Sequence, residues 1–387
     1  MKTYKNEFSM PSPIIFGNGA IAAVADKIKE LGCEKPLIIC DKGTFDAGII
    51  KKLTDVLDAA QIKYAVFDGV VADPPDTCVD EAGAMAVASG ADCLIGMGGG
   101  SSMDTAKATA IYMLDPGPVK RYILAAPATY DTKVPIILVP TTSGTGSECT
   151  RVAVISRPDM GKKWSAFVNT TLAVVDPELT LTLPARETAN TGMDALTHAV
   201  EAFTNRQWNY HSDLFAVGAI EKIWKNLYTA YAEPSNLDAR SEMALAANWA
   251  GMAFNNPITH VGHSVADALS CAYHTPHGLG CALALAETVA LVAPVCVERT
   301  RKIAEIMELP LNGKETGAEL GKLVADAIRG LMRRMNMPTL KELDCERADV
   351  IALAQEVVDN HLSSFSPVPI TPEVAAQLMA DVYDSYI

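Results

Sequence analysis

The chain has 387 residues, with 46 acidic against 32 basic side chains and a formal net charge of −14. A field of that sign repels phosphate backbones and anionic lipid, so nucleic-acid and membrane-surface binding are set aside at the outset. With 49% hydrophobic and 20% charged residues the composition is that of a folded globular protein, long enough for two or three packing units.

Residues 1–20 hold no apolar run longer than Ile14–Phe16, too short for the core of a signal peptide. That triplet, boxed by Pro11 and Pro13, suits an edge strand. The G-x-G-x-x-A run at 17–22 that follows reads as a turn and helix start rather than a dinucleotide motif. Beyond it, residues 36–40 (PLIIC), 64–67 (YAVF), 92–96 (DCLIG) and 135–139 (PIILV) read as strands. Residues 46–60, 76–90 and 101–114 between them carry apolar positions at helical spacing. This alternation predicts a parallel sheet covered by helices, and two more β-rich runs, at 152–156 and 172–175, close this half of the chain. After Pro184 the β-rich runs stop, and Ala-rich helical patterns cover 192–203, 215–231, 242–254, 280–294, 316–335 and 372–386. The expected organisation is an α/β domain over 1–184 and an all-helical domain over 185–387, facing each other across a cleft. The most apolar stretch, 281–297, is broken by Glu287, Thr288 and Pro294 and reads as a buried helix. Nine cysteines without a CxxC pair point to reduced thiols and a cytoplasmic setting.

Four stretches carry chemistry. The strand ending near Gly96 runs into Gly98, Gly99, Gly100 and Ser101 before a helical run. Glycines at such a corner let backbone N–H groups and a helix N-terminus cradle a pyrophosphate, although a tight turn capped by Ser101 has the same sequence. Asp41, at the end of the PLIIC strand, can accept from a ribose 2′-hydroxyl and repel a 2′-phosphate, which favours NAD over NADP. It is also a common turn former. The loop at 140–148 (PTTSGTGSE) offers hydroxyls to a ligand at the carboxyl end of the sheet, or simply caps the next element. Lastly, four of the seven histidines fall between His260 and His277, while Asp194 and His198 stand four apart on one helical face. Asp194, His198, His263 and His277 together make a three-nitrogen, one-oxygen set suited to a divalent transition metal with an open position; separate core or surface histidines are the plain alternative.

Residues 98–107 (GGGSSMDTAK), 140–150 (PTTSGTGSECT), 192–203 (GMDALTHAVEAF) and 275–278 (TPHG) resemble the iron-containing, or group III, alcohol dehydrogenases, nearly end to end and in order. The resemblance implies a Rossmann-like N-terminal domain for NAD(P) and an all-α metal-binding C-terminal domain, the architecture shared with dehydroquinate synthase. It implies that Asp194, His198, His263 and His277 hold the metal, Fe2+ with Zn2+ as the alternative. It further assigns Asp41 to the ribose, Gly98, Gly99, Gly100 and Ser101 to the pyrophosphate, Thr141, Thr142 and Thr145 to the nicotinamide side, and Lys163 to the cofactor ribose. Two positions depart from the family pattern. Many relatives have a second histidine four residues after His263, near the nicotinamide, where this chain has Asp267. They have glycine where it has His260. His260, one helical turn before His263, is therefore a candidate for proton transfer, oriented by Asp267; a supporting role in the metal site is the alternative.

The implied reaction is reversible hydride transfer between a small primary alcohol or aldehyde and NAD(H), with a divalent metal as Lewis acid. Phe254, Trp164 and Tyr273 are candidate apolar walls of the substrate pocket. Arg151 is a candidate partner for an anionic substrate group or for a neighbouring carboxylate. A zinc-dependent, glycerol-type polyol dehydrogenase and a reductase of an anionic aldehyde are the competing readings. A metal-free reductase or a non-enzymatic NAD-binding module gives no reason to retain the full ligand set. A homodimer or larger homo-oligomer is expected, with no nucleic-acid or membrane partner.

Overall fold

The computed structural model describes residues 7–10, 12–123 and 128–386. Its contacts divide the chain into two compact units, one over residues 10–183 and one over 184–387 together with the segment before residue 10.

The first unit is built on six parallel strands, β1 (Ile14–Phe16), β2 (Pro36–Asp41), β3 (Ala65–Val70), β4 (Cys93–Gly98), β6 (Ile136–Pro140) and β9 (Leu172–Val175), in the order β1-β9-β6-β4-β2-β3. Helices cover both faces, so successive residues of a strand enter opposite cores. Leu37 and Ile39 pack on one side with Leu94 and Leu138, and Ile38 and Cys40 on the other with Ile95 and Val139. This is why β2 and β6 read as unbroken apolar runs rather than alternating ones. As expected, Ile14–Phe16 is an edge strand, and the glycines after it lead into a 3₁₀ turn at Ala20–Ala23. The covering helices are α1 (Val24–Glu30), α2 (Lys42–Asp46), α3 (Ile50–Ala59), α4 (Asp76–Ser89) and α5 (Gly100–Tyr112).

Three expectations change. The helix read over 46–60 starts later, as α3 from Ile50, because a separate short helix, α2, ends at Asp46 and the chain turns through Gly48 with φ +69. The run at 152–156 does not join the main sheet: β7 (Val152–Arg157) pairs antiparallel with β8 (Lys162–Val168) in a small sheet completed by β5 (Thr129–Tyr130). Residues 7–9 belong with the helical unit, where Asn209 donates to Glu7 O at 2.6 Å and Asn255 to Ser9 O at 3.1 Å.

The second unit contains no strand among its described residues. Its helices are α6 (Ala185–Thr204), α7 (Tyr210–Ala232), α8 (Leu237–Phe254), α9 (Val261–Tyr273), α10 (His277–Val292), α11 (Val297–Ile306), α12 (Gly317–Arg334), α13 (Arg347–Ala352), α14 (Ala354–Asp359) and α15 (Pro372–Asp384). One apolar core runs through Leu196, Ile220, Leu269, Leu285, Val324 and Met379. The apolar stretch near 281 is the buried helix α10, and no described helix is long and apolar enough to cross a membrane.

Candidate metal centre and nucleotide loops

Helix α6 carries Asp194, His198, Glu201 and Thr204 at spacings of four, three and three, a polar stripe on one face of a helix whose second half is wholly buried. Buried polar groups need partners, and this stripe meets the start of α9 and the start of α10. The α10 start can reach it because Gly278 has no side chain: a Cβ there would stand 2.3 Å from Asn190 O, on the turn of α6 before Asp194.

The result is a cluster centred on Asp194 Oδ1. His198 Nδ1 lies 3.6 Å from it, His263 Nε2 3.7 Å and His277 Nε2 3.8 Å. Ligand atoms about 2.1 Å from a tetrahedral cation stand about 3.4 Å from one another, so the three distances match a shared cation better than direct hydrogen bonds. Asp194 Oδ1, His198 Nδ1 and His263 Nε2 are buried without a hydrogen-bond partner among the described residues. Three buried donor atoms left unsatisfied around one carboxylate oxygen, with a third imidazole beside them, is the pattern a divalent metal resolves. Phe254 closes one wall, stacked on the His198 ring at 4.2 Å. Cys281, one turn beyond His277, places its Sγ 3.7 Å from His277 Nε2.

Electrostatics agree with that pattern. Burial works against an ionised Asp194, but the surrounding imidazoles hold its carboxyl well below the usual range. Burial pushes His198 down to about 3, so it is neutral and its nitrogen is free to bind a cation. For His263, burial is outweighed by Cys281, Glu201 and Asp194, which raise it well above its ordinary value. The cluster thus attracts positive charge.

Glu201 is the residue that the sequence reading passed over. Fully buried, it accepts from Gly262 N at 2.6 Å through Oε1, and from His260 N at 3.1 Å and His263 Nδ1 at 2.5 Å through Oε2. Glu201 holds the proton on Nδ1, so Nε2 is the nitrogen from which a cation would displace a proton, and the carboxylate sets both the ring orientation and the metal-facing nitrogen. The signal was present in the 192–203 motif: Glu201 stands three residues after His198 on the same helical face.

The same contacts correct the reading of His260. It precedes α9 rather than lying on it, has no exposed surface, and places its ring against Thr204 Oγ1 at 2.9 Å and Glu201 Oε1 at 3.1 Å. Asp267 does not orient it, since Asp267 accepts from Asn360 Nδ2 at 3.0 Å. These contacts favour the supporting role in the metal site over a proton route through His260 and Asp267.

In the α/β unit, the chain passes from β2 to the edge strand β3, then returns across β2 to β4. The carboxyl ends of β2 and β4 thus flank the point where strand order reverses, the place where open sheets of this kind bind ligands. Asp41 ends β2 and Gly98 ends β4. Gly98 has φ +149, and a Cβ there would stand 2.4 Å from Ser102 Oγ and 2.9 Å from Asp41 Oδ2, so only glycine fits. Asp41 also caps α2, accepting from Thr44 N at 2.8 Å and Thr44 Oγ1 at 2.7 Å, with Ser102 Oγ at 3.2 Å. Its turn-forming and ligand-facing readings are compatible.

The two loops meet. Thr141 N donates to Gly98 O at 2.9 Å, Thr142 flanks Gly99, and Thr145 lies against Gly100. Ser101 is in the first turn of α5, whose N-cap is Gly99, so Ser101 is not the cap. Lys163 pairs with Asp73 at 2.7 Å on β8. Of the proposed pocket walls only Phe254 joins the metal cluster. Trp164 packs against the α/β core, and Tyr273 sits ten residues along α9 from His263, against the helical core. Arg151 lies over the Phe167 ring at 4.8 Å.

Sequence and fold comparisons agree with this geometry. Residues 11–177 match iron-containing alcohol dehydrogenase, and residues 188–383 match the Fe-containing alcohol dehydrogenase family, C-terminal. The chain is 34% identical to lactaldehyde reductase of Escherichia coli strain K12 over 368 residues, 94% of this chain and 96% of that protein. It superposes on 1,3-propanediol oxidoreductase with a TM-score of 0.91 at 32% identity, over 99% of this chain and 100% of that one. Against sulfoacetaldehyde reductase from Bifidobacterium kashiwanohense, solved in complex with NAD+, the TM-score is 0.89 at 28% identity, with both chains fully covered. With both halves matched, the chain belongs to the iron-containing alcohol dehydrogenase family and is an oxidoreductase of that family.

Proposed function

We propose that the protein transfers hydride reversibly between a small primary alcohol or aldehyde and NAD(H), with one divalent metal, iron, held by Asp194, His198, His263 and His277. The observation that carries the reading is the convergence of three imidazole nitrogens at 3.6–3.8 Å on Asp194 Oδ1. The metal supplies Lewis acidity toward the substrate oxygen; zinc fits the same donors because affinity rises along the first-row series. The chain itself fixes the donors through Glu201 and excludes water on the Phe254 side. It presents the Gly98–Ser101 amides at a helix N-terminus for a pyrophosphate, with Thr141, Thr142 and Thr145 beside them. Asp41 at the switch point favours the 2′-hydroxyl of NAD, and the sulfoacetaldehyde reductase relative was solved with NAD+. Nine cysteines, none in a disulfide among the described residues, suit a reducing, cytoplasmic compartment, and a homo-oligomer is the expected assembly. Elemental analysis of protein purified without air or chelator should return about one metal per chain, and His263→Ala with His277→Ala should abolish it. Undiminished metal in that double variant overturns the assignment.

A second reading, an anionic aldehyde as substrate, rests on a cavity of about 560 Å3 in the helical unit lined by Arg206, Asn360, His361, Ser363 and Ser364. Arg206 pairs with no carboxylate among the described residues, and Asn360 is the partner of Asp267, one turn from His263. Arg206→Ala should raise KM for a sulfonate- or carboxylate-bearing aldehyde and leave a neutral aldehyde unaffected. An equal effect on both rejects this reading.

A further inference from the structure

Asp194, His263, His277 and Cys281 each offer one donor atom, and these four atoms all lie within 4.8 Å of one another. Cys281 is fully buried, one helical turn after His277 on α10, so its side chain points the same way as the imidazole. Its neighbours set it apart from the other thiols. Cys33, Cys78, Cys149, Cys296 and Cys345 turn toward backbone carbonyls, whereas Cys281 Sγ faces an imidazole nitrogen at 3.7 Å. A sulfur at about 2.3 Å and a nitrogen at about 2.1 Å from one cation, subtending about 110–120° there, stand about 3.6–3.8 Å apart, which brackets that separation. Asp194 Oδ1 and His263 Nε2, in residues 2% and 5% exposed, face the same space without a hydrogen-bond partner among the described residues.

We propose that Cys281 is an additional metal-binding residue of this centre, giving the cation a sulfur donor beside the carboxylate and the imidazoles. The proposal rests on the metal site assigned above and extends it. On coordination the thiol gives its proton to solvent, a metal–sulfur bond forms, and nothing is oxidised or reduced. A soft sulfur donor biases the site toward zinc and cobalt over manganese and magnesium.

Cobalt(II) is the probe. The wild-type protein loaded with cobalt should show thiolate-to-cobalt charge-transfer absorption in the near ultraviolet. Cys281→Ser, which keeps the residue's size, should bind cobalt yet lack that band, and Cys281→Ala should behave alike. Preference for zinc over manganese in competition should fall about tenfold in Cys281→Ser. Absence of the band in cobalt-loaded wild type, a test that needs no variant to fold, overturns the proposal. So does its persistence in Cys281→Ser. The underlying site is tested apart from this. If Asp194→Asn combined with His263→Ala binds cobalt as well as wild type does, the metal site itself is misassigned, whatever the band shows.

Discussion

Each oxygen of Glu201 takes one backbone N–H and faces one imidazole, which leaves the carboxylate no spare donor to satisfy and no room to turn. Burial alone would raise its pKa, but the His260 and His263 rings and the donated hydrogen bonds hold it at about 2, so it is ionised. An amide at this position has a single acceptor oxygen. Glu201→Gln must therefore abandon either Gly262 or the His263 proton, and metal affinity measured by chelator competition should fall about 10- to 100-fold. Wild-type affinity in that variant would mean that α9 packing alone orients His263. At the nucleotide end the residue proposed to decide cofactor choice is Asp41. Asp41→Gly should narrow the preference of NAD over NADP, at some cost to the cap on α2, and an unchanged ratio of the two kcat/KM values would refute the assignment.

Helix α5 shows how one element serves both architecture and ligand. Its first turn carries the glycine corner, and its middle is bolted to the loop before β7 by Lys107, which is fully buried. Lys107 donates to Ser147 Oγ at 2.7 Å and to Val152 O at 2.6 Å, with Asp104 Oδ1 at 3.4 Å. Asp104 in turn accepts from Ser147 Oγ at 2.6 Å and from Val154 N at 3.0 Å. Lys107→Met leaves a buried carboxylate without its cation, and urea unfolding should show a loss of about 3 kcal/mol. Burial lowers the Lys107 pKa despite Asp104. The unfolded chain then binds more protons just below pH 10.5, and this group adds stability as pH rises through that window. The glycine corner is as exacting, since a Cβ at Gly98 meets Ser102 and Asp41 together with an unfavourable φ. Gly98→Ala should cost about 1–3 kcal/mol and weaken NADH binding measured by fluorescence titration. Unchanged binding in a folded variant would separate this corner from the nucleotide.

At the scale of the molecule, the proposed metal donors come from α6, α9 and α10, three elements spread over residues 185–292, while the proposed nucleotide loops lie in the unit over 10–183. A ligand bound only by the folded state stabilises it by about 2.7 kcal/mol at a hundredfold excess over Kd. Chelation should therefore speed hydrogen exchange in α6, α9 and α10 and leave β2, β4 and β6 as they were, and added NADH should protect the β2–β4 corner instead. Uniform exchange changes across both units would contradict that separation. Much of this arrangement was legible in one dimension. Parallel strands buried on both faces read as apolar runs, glycines mark a corner that no other residue can turn, and Asp194 with His198 share a face through helical periodicity alone. Local patterns of that kind depend on a few neighbouring residues, so the sequence by itself determined the strand and helix alternation, the change of texture at Pro184 and the ligand types. Partners distant in the chain were another matter. Residues 152–156 look like any strand of the main sheet until β8 pairs with them, and His260 has the right spacing for a helix turn that the backbone does not make. Tyr273 and Trp164 are apolar enough for a pocket wall, yet each packs into a different core. Only the tertiary structure decided that Glu201 governs His263 and that Cys281 stands beside His277, because a hydrogen bond or a coordination shell is set by where packed elements bring their side chains, and sequence spacing carries no measure of that.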